Sequence, residues 1–310
     1  MFKKKKIFIY VFFFIFLFLD ISHSKIQIKY KIDDQIITNI DIIDEKKYLI
    51  FLKPNLAKLS EEEILKISLN SLIKEIIKKK ELDRIFQNVD KEKIATEVKK
   101  NLFKYKNVKN ESEFLGILNN YDIEYSKIVE KIQYEGLWNE LIFKKYNSLV
   151  KINRNKLRKD LVKKISNDKK FEYELFEILF EIEKDETYKN KIKQISEYIN
   201  KNDFKSAASK FSISNSANKG GEIGWIKETL LSEELNNILI KLKKGDITQP
   251  LKYPNGYLIL KLNDKKEMKQ IIDIDKELEE IIRFEKNRQL NQFSLLFYKK
   301  LKQNSKINEY

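Results

Sequence analysis

The sequence lacks most of the side chains on which bond-making chemistry in proteins depends. Its 310 residues include no cysteine and one histidine, His23, which lies near the N-terminus. Without cysteine there are no disulfide bonds, so stability must come from packing alone. A chain that has lost His23 with its N-terminal segment has no base for a Ser-His-Asp hydrolase, and the shortage of histidine argues against a transition-metal site. We therefore expect no metal and no cofactor, and binding rather than covalent chemistry.

Glycine and proline are scarce as well, at seven and three residues. Five of the glycines and two of the prolines fall between residues 220 and 256. That window is predicted to be rich in turns, and most of the remaining chain to be helical. With 42% apolar residues, the chain can bury one large core or two ordinary ones.

Arginine is rare although the formal net charge is +15. Lysine is spread along every segment, whereas proteins that read nucleic acid favour arginine for bidentate contacts. No basic stripe with interleaved aromatic residues stands out in the sequence. We therefore expect no nucleic-acid partner and attribute the basicity to a compositional bias towards lysine, isoleucine and asparagine.

The N-terminus has the pattern of a secretory signal peptide. A positive segment, an apolar run of 13 residues and a group of small residues follow one another: Lys3 to Lys6, Ile7 to Leu19 and Ser22-His23-Ser24. The run is shorter than the roughly 20 residues of a membrane-spanning helix. We predict a signal peptide over residues 1–24. Since that segment holds four lysines and one aspartate, the exported chain would carry a charge of +12; the alternative is an uncleaved membrane anchor.

The segment after residue 24 is predicted to be helical apart from a first strand. Ile26 to Ile32 alternates apolar and polar residues, which is the period of a half-buried strand, and a turn follows. Ser60-Glu61-Glu62-Glu63 is a capping box that opens an amphipathic helix. Further helices are predicted from Asp90, from Asn110, across 122–150 and across 153–168.

Residues 171–262 are predicted to form a compact α+β module. The period changes to two from Phe171 to Ile182, which indicates a strand, and helices at 187–201 and 204–211 follow. Gly220-Gly221 requires a tight loop, and a helix capped by Ser232 is expected to end at Gly245. Segments 247–251 and 257–262 should pair as a hairpin across residues 254–256. A last helix, 275–302, is expected to pack back on the helical part.

Four blocks in this second half resemble the parvulin rotamase family, in order and with plausible spacing. They are 204–212, 216–225, 242–250 and 256–262. The helical part, its opening Ile32 to Asp41 and the last helix are similar to the SurA type of periplasmic chaperone. The resemblance implies a helical chaperone domain at 25–168, one parvulin-like domain at 169–264 and a C-terminal helix within 265–310 that completes the first domain.

The resemblance also implies a proline-binding site with three polar positions. The family has a histidine on the first strand, an aspartate or cysteine before the paired glycines and a histidine on the last strand. Glu177, Ser214 and Leu258 fall at these positions, so no catalytic residue is assigned. The apolar pocket positions fall at Leu231 and Leu235, and with Tyr257 these are the predicted substrate-binding residues.

Glu177 and the two tryptophans each have a structural interpretation beside a functional one. Glu177 either replaces a polar group of the site or is a carboxylate that reaches solvent at the mouth of the cleft. Trp138 and Trp225 are both predicted to pack in the interior, because tryptophan is largely buried on average.

The leading hypothesis is a periplasmic chaperone that binds unfolded outer-membrane proteins in an apolar groove, with weak or absent rotamase activity. An apolar groove binds proline without favouring the twisted amide, which is what catalysis of this rotation requires. The alternative is an active prolyl isomerase that uses Glu177 or Tyr257 in an altered network. A third possibility is a chaperone anchored in the inner membrane by its N-terminal segment.

Overall fold

The computed structural model describes residues 26–310 except 88, 166–169, 183–185, 255 and 269–272. The predicted signal peptide lies outside the described residues, as does the centre of the predicted turn at 254–256. The fold class is α+β, as predicted: a helical part precedes a four-stranded antiparallel sheet with its own helices. Among the described residues, no helix is both long enough and apolar enough to cross a membrane.

In the first half of the chain, the residues that the structure describes form a hairpin followed by six helices. The elements are β1 Ile28–Ile32, β2 Gln35–Thr38, α1 Asn39–Leu52, α2 Glu61–Ile85, α3 Lys91–Lys106, α4 Glu111–Asn119, α5 Tyr125–Tyr146 and α6 Arg154–Ile165. A short 3₁₀ helix, Pro54–Lys58, lies between α1 and α2.

Polar caps explain where these helices begin. Ser60 and Glu63 form the predicted capping box of α2, and the Asn110 side chain accepts the Glu113 N–H at the start of α4. Thr38 and Asp41 form a second capping box at the start of α1. Each cap satisfies amide groups that a helix leaves without partners in its first turn.

The second half contains the four-stranded sheet. Its elements are β3 Phe171–Phe180, α7 Tyr188–Lys201, α8 Phe204–Phe211, β4 Glu222–Lys227, α9 Glu233–Leu239, β5 Leu251–Tyr253 and β6 Gly256–Glu267. Two last elements follow, α10 Ile274–Gln303 and β7 Ile307–Glu309.

The structure corrects three details of the sequence prediction for this half. Strand β4 lies between the paired glycines and the helix capped by Ser232, where no strand was predicted. Helix α9 ends at Leu239 rather than at Gly245. In the hairpin, the strand is Leu251–Tyr253, and the predicted segment from Ile247 contributes a single bridge to Lys261.

The sheet has the order β4-β3-β6-β5, so β3 is paired on both edges. Alternate β3 residues enter two apolar clusters, one on each face of the sheet. Tyr173, Leu175 and Leu179 belong to the first cluster. Phe176, Ile178 and Phe180 belong to the second, which packs on α7 and α8.

Helix α10 contacts both halves of the molecule. Near its end, Phe297 stacks on Trp138 at 5.6 Å between ring centroids, and Trp138 donates its indole N–H to Ser294 at 2.9 Å. Near its start, Leu278 is buried against Leu161 of α6. Strand β7 then pairs with β1, which makes a three-stranded sheet of order β2-β1-β7.

The paired glycines 220 and 221 form a tight loop, as predicted, with φ angles of 64° and 80°. Gly221 lies against β3, and its carbonyl accepts the Glu177 N–H at 2.7 Å. A Cβ at Gly221 would overlap the Glu177 carbonyl oxygen and would approach the Ala208 Cβ to 2.8 Å. Only glycine permits this close approach of the two backbones.

Lys53 joins the helical part to the sheet domain. Its ammonium donates to the Ser209 hydroxyl on α8 at 2.8 Å and to the Ala217 carbonyl at 2.5 Å. The residue is only 8% exposed. Burial disfavours the charged form and lowers the pKa of Lys53 to about 7. A second link between the two parts, the Lys210–Glu63 ion pair, lies nearby at 3.2 Å.

We expect Gly221→Ala to lower the free energy of unfolding much more than Gly245→Ala. Both glycines have positive φ, at 80° and 95°, but an added Cβ has no atom within 4 Å at Gly245. The control variant, Gly245→Ala, should lose about 1–2 kcal/mol of unfolding free energy from backbone strain alone. Gly221→Ala should lose at least about 2 kcal/mol more, because its Cβ overlaps neighbouring atoms. Urea denaturation measures both; equal losses would show that the close approach at Gly221 is unimportant.

The stability of the wild type should rise with pH relative to a Lys53→Met variant. Lysine in an unfolded chain has a pKa of about 10.4, whereas folded Lys53 has one of about 7. Between these values the unfolded state binds more protons, so raising the pH favours the folded state. From pH 6.5 to 9.5 the difference in unfolding free energy should change by about 3 kcal/mol in favour of the wild type.

Urea titrations of both proteins at the two pH values measure this change. Lys58→Met is the matched control, because Lys58 is an exposed lysine in the adjoining 3₁₀ helix. Parallel pH dependence in wild type and Lys53→Met would contradict the burial of a lysine with a lowered pKa.

Candidate functional site

Glu177 lies in the middle of β3, and the loop after α8 is held against it. The Ile213 N–H donates to the Leu179 carbonyl at 2.7 Å, and the Leu179 N–H donates to the Ser212 hydroxyl at 3.1 Å. Because side chains alternate along a strand, Glu177 lies on the same face as Leu175 and Leu179. The loop therefore carries its serines to this carboxylate.

Two serine hydroxyls donate to one oxygen of Glu177. Ser214 Oγ lies 2.6 Å and Ser216 Oγ 2.7 Å from Glu177 Oε1, and the two hydroxyl oxygens are 3.1 Å apart. The structure thus brings together Glu177 and Ser214, two of the three family positions. Sequence reasoning missed Ser216, although Ser212, Ser214 and Ser216 alternate along the loop.

This cluster is a polar network with an anionic acceptor at its centre. Hydrogen bonds from hydroxyls to a carboxylate are stronger than those between neutral groups. The Ser214 hydroxyl donates to Glu177, the Ser216 hydroxyl has Glu177 and Ser214 as its acceptors, and an ionised carboxylate itself has no proton to donate. The network can orient a hydrogen-bond donor of a ligand, but its members offer no donor to a ligand amide.

The third family position, Leu258, belongs to an apolar surface beside this network. Leu258 pairs with Leu179 across β3 and β6 and is 7% exposed. Leu231 belongs to the same cluster, and Leu235 packs against it. The structure therefore groups three of the predicted site residues, Leu231, Leu235 and Leu258, on one face of the sheet.

Tyr257 does not share this surface. It packs against the cluster on the opposite face, where its ring lies 5.7 Å from that of Phe180 and 4.7 Å from that of Tyr188. Adjacent residues of a strand point to opposite faces, so Tyr257 cannot join a pocket that contains its neighbour Leu258. Grouping Tyr257 with Leu231 and Leu235 was wrong for this reason.

Helix α10 also packs on the apolar surface, which the sequence prediction missed. Phe284 and Leu295 pack against the cluster that contains Leu231 and Leu258. The Arg288 guanidinium bonds to Glu285 and to Tyr253 of β5, and both contacts raise the pKa of Arg288. The last helix was expected to pack back on the helical part, and its contact with the sheet was not predicted.

The two tryptophans have different environments. Trp138 is 3% exposed and packs in the helical part, as predicted. Trp225 is 42% exposed, so the prediction that it packs in the interior was wrong. It lies on the edge strand β4, where the Lys266 ammonium is 4.2 Å from its ring centroid.

Comparison with protein families matches residues 176–264 to the rotamase family, described as the PPIC-type PPIASE domain. The chain is similar to Chaperone SurA of Pseudomonas putida, with 42% identity over 64 residues, 21% of this chain and 15% of the relative. It is also similar to Foldase protein PrsA 2 of Bacillus anthracis, with 32% identity over 100 residues, 30% of this chain and 33% of the relative. These matches therefore span well under two thirds of the relatives' own length.

A solved structure described as SurA-like chaperones of Campylobacter jejuni aligns with 91% of this chain and 98% of its own, at 15% identity and a TM-score of 0.37. The family match includes Glu177, both serines and Leu258. Residues 176–264 are therefore a PpiC-type rotamase domain, and the predicted resemblance to SurA-type chaperones with a parvulin domain is confirmed.

Proposed function

We propose that the protein is an exported chaperone that binds unfolded outer-membrane polypeptides, and that its rotamase domain binds chain segments with little or no isomerase turnover. The observation that carries the proposal is the identity and hydrogen bonding of Glu177. At a position where the family has a histidine, this chain has a carboxylate that already accepts two serine hydroxyls.

The chemistry of amide rotation supports this reading of the rotamase domain. Rotation must cross a barrier of about 18–20 kcal/mol, and an enzyme lowers it only by binding the twisted amide better than the planar one. A hydrogen-bond donor directed at the amide would do so. Glu177, Ser214 and Leu258 do not supply one, because the Ser214 hydroxyl already donates to Glu177 and leucine has no polar hydrogen.

Exposed apolar side chains on the helical part support the chaperone role. Helices α5 and α10 pack together through the stacked rings of Tyr146 and Phe293, 5.0 Å apart. On the same helices Phe143 is 43% exposed and Leu296 is 52% exposed. Large exposed apolar side chains are suited to weak binding of unfolded chains. The relatives are named as chaperones and foldases, in agreement with this role.

The proposed location is the periplasm, with the domain division 25–168, 169–264 and 265–310. Support for export comes from the positive segment and apolar run before residue 24. Retention of this segment as an inner-membrane anchor is the competing proposal. The mass of the native N-terminal peptide separates the two, because cleavage would leave a chain that begins near Lys25.

An active prolyl isomerase remains the second candidate, and Glu177 is the residue that favours it. The carboxylate is only partly buried and is held in one position by Ser214 and Ser216. Tyr257 cannot contribute to the same network, since it lies on the other face of the sheet.

We expect the wild-type protein to leave prolyl isomerisation close to its uncatalysed time of tens to hundreds of seconds. A protease-coupled assay on a prolyl tetrapeptide measures the rate. Glu177→Ala should leave the rate unchanged, as should Glu174→Ala, which removes another carboxylate of the same strand. Efficient turnover that Glu177→Ala abolishes and Glu174→Ala retains would establish the isomerase instead.

We expect the wild-type protein to suppress aggregation of an unfolded β-barrel outer-membrane protein, measured by light scattering. The double variant Phe143→Ser, Leu296→Ser should require severalfold more protein for the same suppression, because it removes exposed apolar contacts from the helical part. Ile240→Ser is the matched control, since Ile240 is 43% exposed but lies in the rotamase domain. A wild type without suppression would rule out the chaperone.

A further inference from the structure

A cavity of about 140 Å³ lies where the helical part meets the rotamase domain. It shares no lining residue with the Glu177 network or with the apolar surface around Leu231. Residues from both parts line it: Leu52, Lys53, Pro54, Leu56 and Tyr105 from the helical part, and Lys205, Ser206, Ser209, Lys219 and Glu222 from the rotamase domain. The exposed residues Lys205 and Lys219 place its opening at the surface.

The cavity has an excess of positive charge. Three lysines line it against one carboxylate, Glu222. Within the described part of the chain, Lys53, Lys205 and Lys219 form no ion pair with an acidic side chain. Lys205 and Lys219 lie over aromatic rings instead, 4.7 Å from that of Phe176 and 5.3 Å from that of Tyr105. The arrangement therefore favours an anionic ligand.

Lys53 is the buried donor of this cavity. Two of the three ammonium hydrogens are accounted for by Ser209 and the Ala217 carbonyl. Both acceptors are uncharged, so nothing in these contacts compensates the desolvation of a buried cation. An anion in the cavity would supply that compensation.

The apolar residues that line the cavity indicate which kind of anion fits it. Leu52, Pro54, Leu56 and the ring of Tyr105 provide carbon surface next to the lysines. Inorganic phosphate or sulfate would have to lose water against this surface without compensation. A carboxylate attached to an apolar group matches both parts, and at about 30 Å³ for each water-sized group the cavity holds four or five heavy atoms.

We propose that this cavity binds the C-terminal carboxylate of an extended client polypeptide, together with part of an apolar C-terminal side chain. A chain terminus carries both groups on one residue, whereas an aspartate or glutamate has no apolar side chain of its own beside its carboxylate. The proposal rests on the proposed chaperone function for the existence of such clients, and the binding itself requires only a peptide.

Protonation of Lys53 gives this binding a specific signature. With a pKa of about 7, free Lys53 is mostly neutral at pH 8, and a bound carboxylate favours its charged form. Binding should then take up a proton from the buffer. The other groups that face the cavity are Lys205 of α8, Lys219, Glu222 of β4 and Tyr105 of α3, whose pKa is raised by burial and by Glu222.

The test is calorimetry at pH 8 with acetyl-Gly-Gly-Ser-Leu, which has a free C-terminus, in two buffers of different ionisation enthalpy. The free acid should bind roughly tenfold or more tightly than the same peptide with an amidated C-terminus. Its binding should take up most of a proton. Lys53→Met should remove both effects, and Lys58→Met should retain both. The exposed double variant Lys205→Ser, Lys219→Ser should weaken binding without affecting the fold.

Three results would overturn the proposal. The first is equal affinity for the free-acid and the amidated forms of acetyl-Gly-Gly-Ser-Leu. The second is tighter binding of acetyl-Gly-Gly-Glu-Leu-amide than of the free-acid peptide, which would assign the site to acidic side chains. The third is unchanged binding and proton uptake in Lys53→Met. If the peptide does not bind while the wild type still suppresses aggregation, the cavity proposal fails and the chaperone proposal stands. If the peptide binds while the wild type does not suppress aggregation, the cavity proposal stands and the chaperone proposal fails.

Discussion

The pairing of β3 on both edges is the interaction on which the rotamase domain depends. All ten residues of β3 pair with β6, with one register shift between Glu174 and Leu175, and Glu172 to Phe176 also pair with β4. A strand held on both edges can bury both of its faces, and β3 does so with one apolar cluster on each side. Beyond the end of β4, the backbone of Glu177 and Leu179 pairs with the loop after α8, so the same strand also positions the serines of the candidate site.

This placement constrains what the site can do. The strand positions the backbone of Glu177, and the loop that β3 holds positions the backbones of Ser214 and Ser216, so that their side chains meet in a hydrogen-bonded cluster. The apolar neighbours Leu258 and Leu231 are buried in the cluster on the same face. The result is an anionic acceptor beside a packed apolar cluster, and these groups are poorly suited to donating a hydrogen bond to an amide.

Sequence reasoning succeeded where the cause was local. The Ser60 capping box and the alternation along β3 depend on near neighbours in the chain, and both are present in the structure. Sequence reasoning failed where the environment of a residue depends on segments that are distant in the chain. Trp225 is exposed on the edge strand β4, and no residue near Trp225 in the sequence reveals that position. The same holds for Phe284, whose partners on the sheet lie far earlier in the chain.

The helical part and the rotamase domain are joined in two ways, by the apolar side chains of helix α10 and by polar contacts elsewhere. Along α10, apolar side chains pack on α6, on the sheet and on α5 in turn, so one helix holds all three. Away from α10, the links are mostly polar: Lys53 donates to Ala217 and Ser209, and Lys210 pairs with Glu63. Partly exposed ion pairs contribute little stability, and a buried lysine reduces it. The polar side of the junction is thus the weaker one, and it is also the side that keeps an open cavity. A junction held by an apolar helix on one side and by exchangeable polar contacts on the other can accept a charged ligand at little cost to the fold.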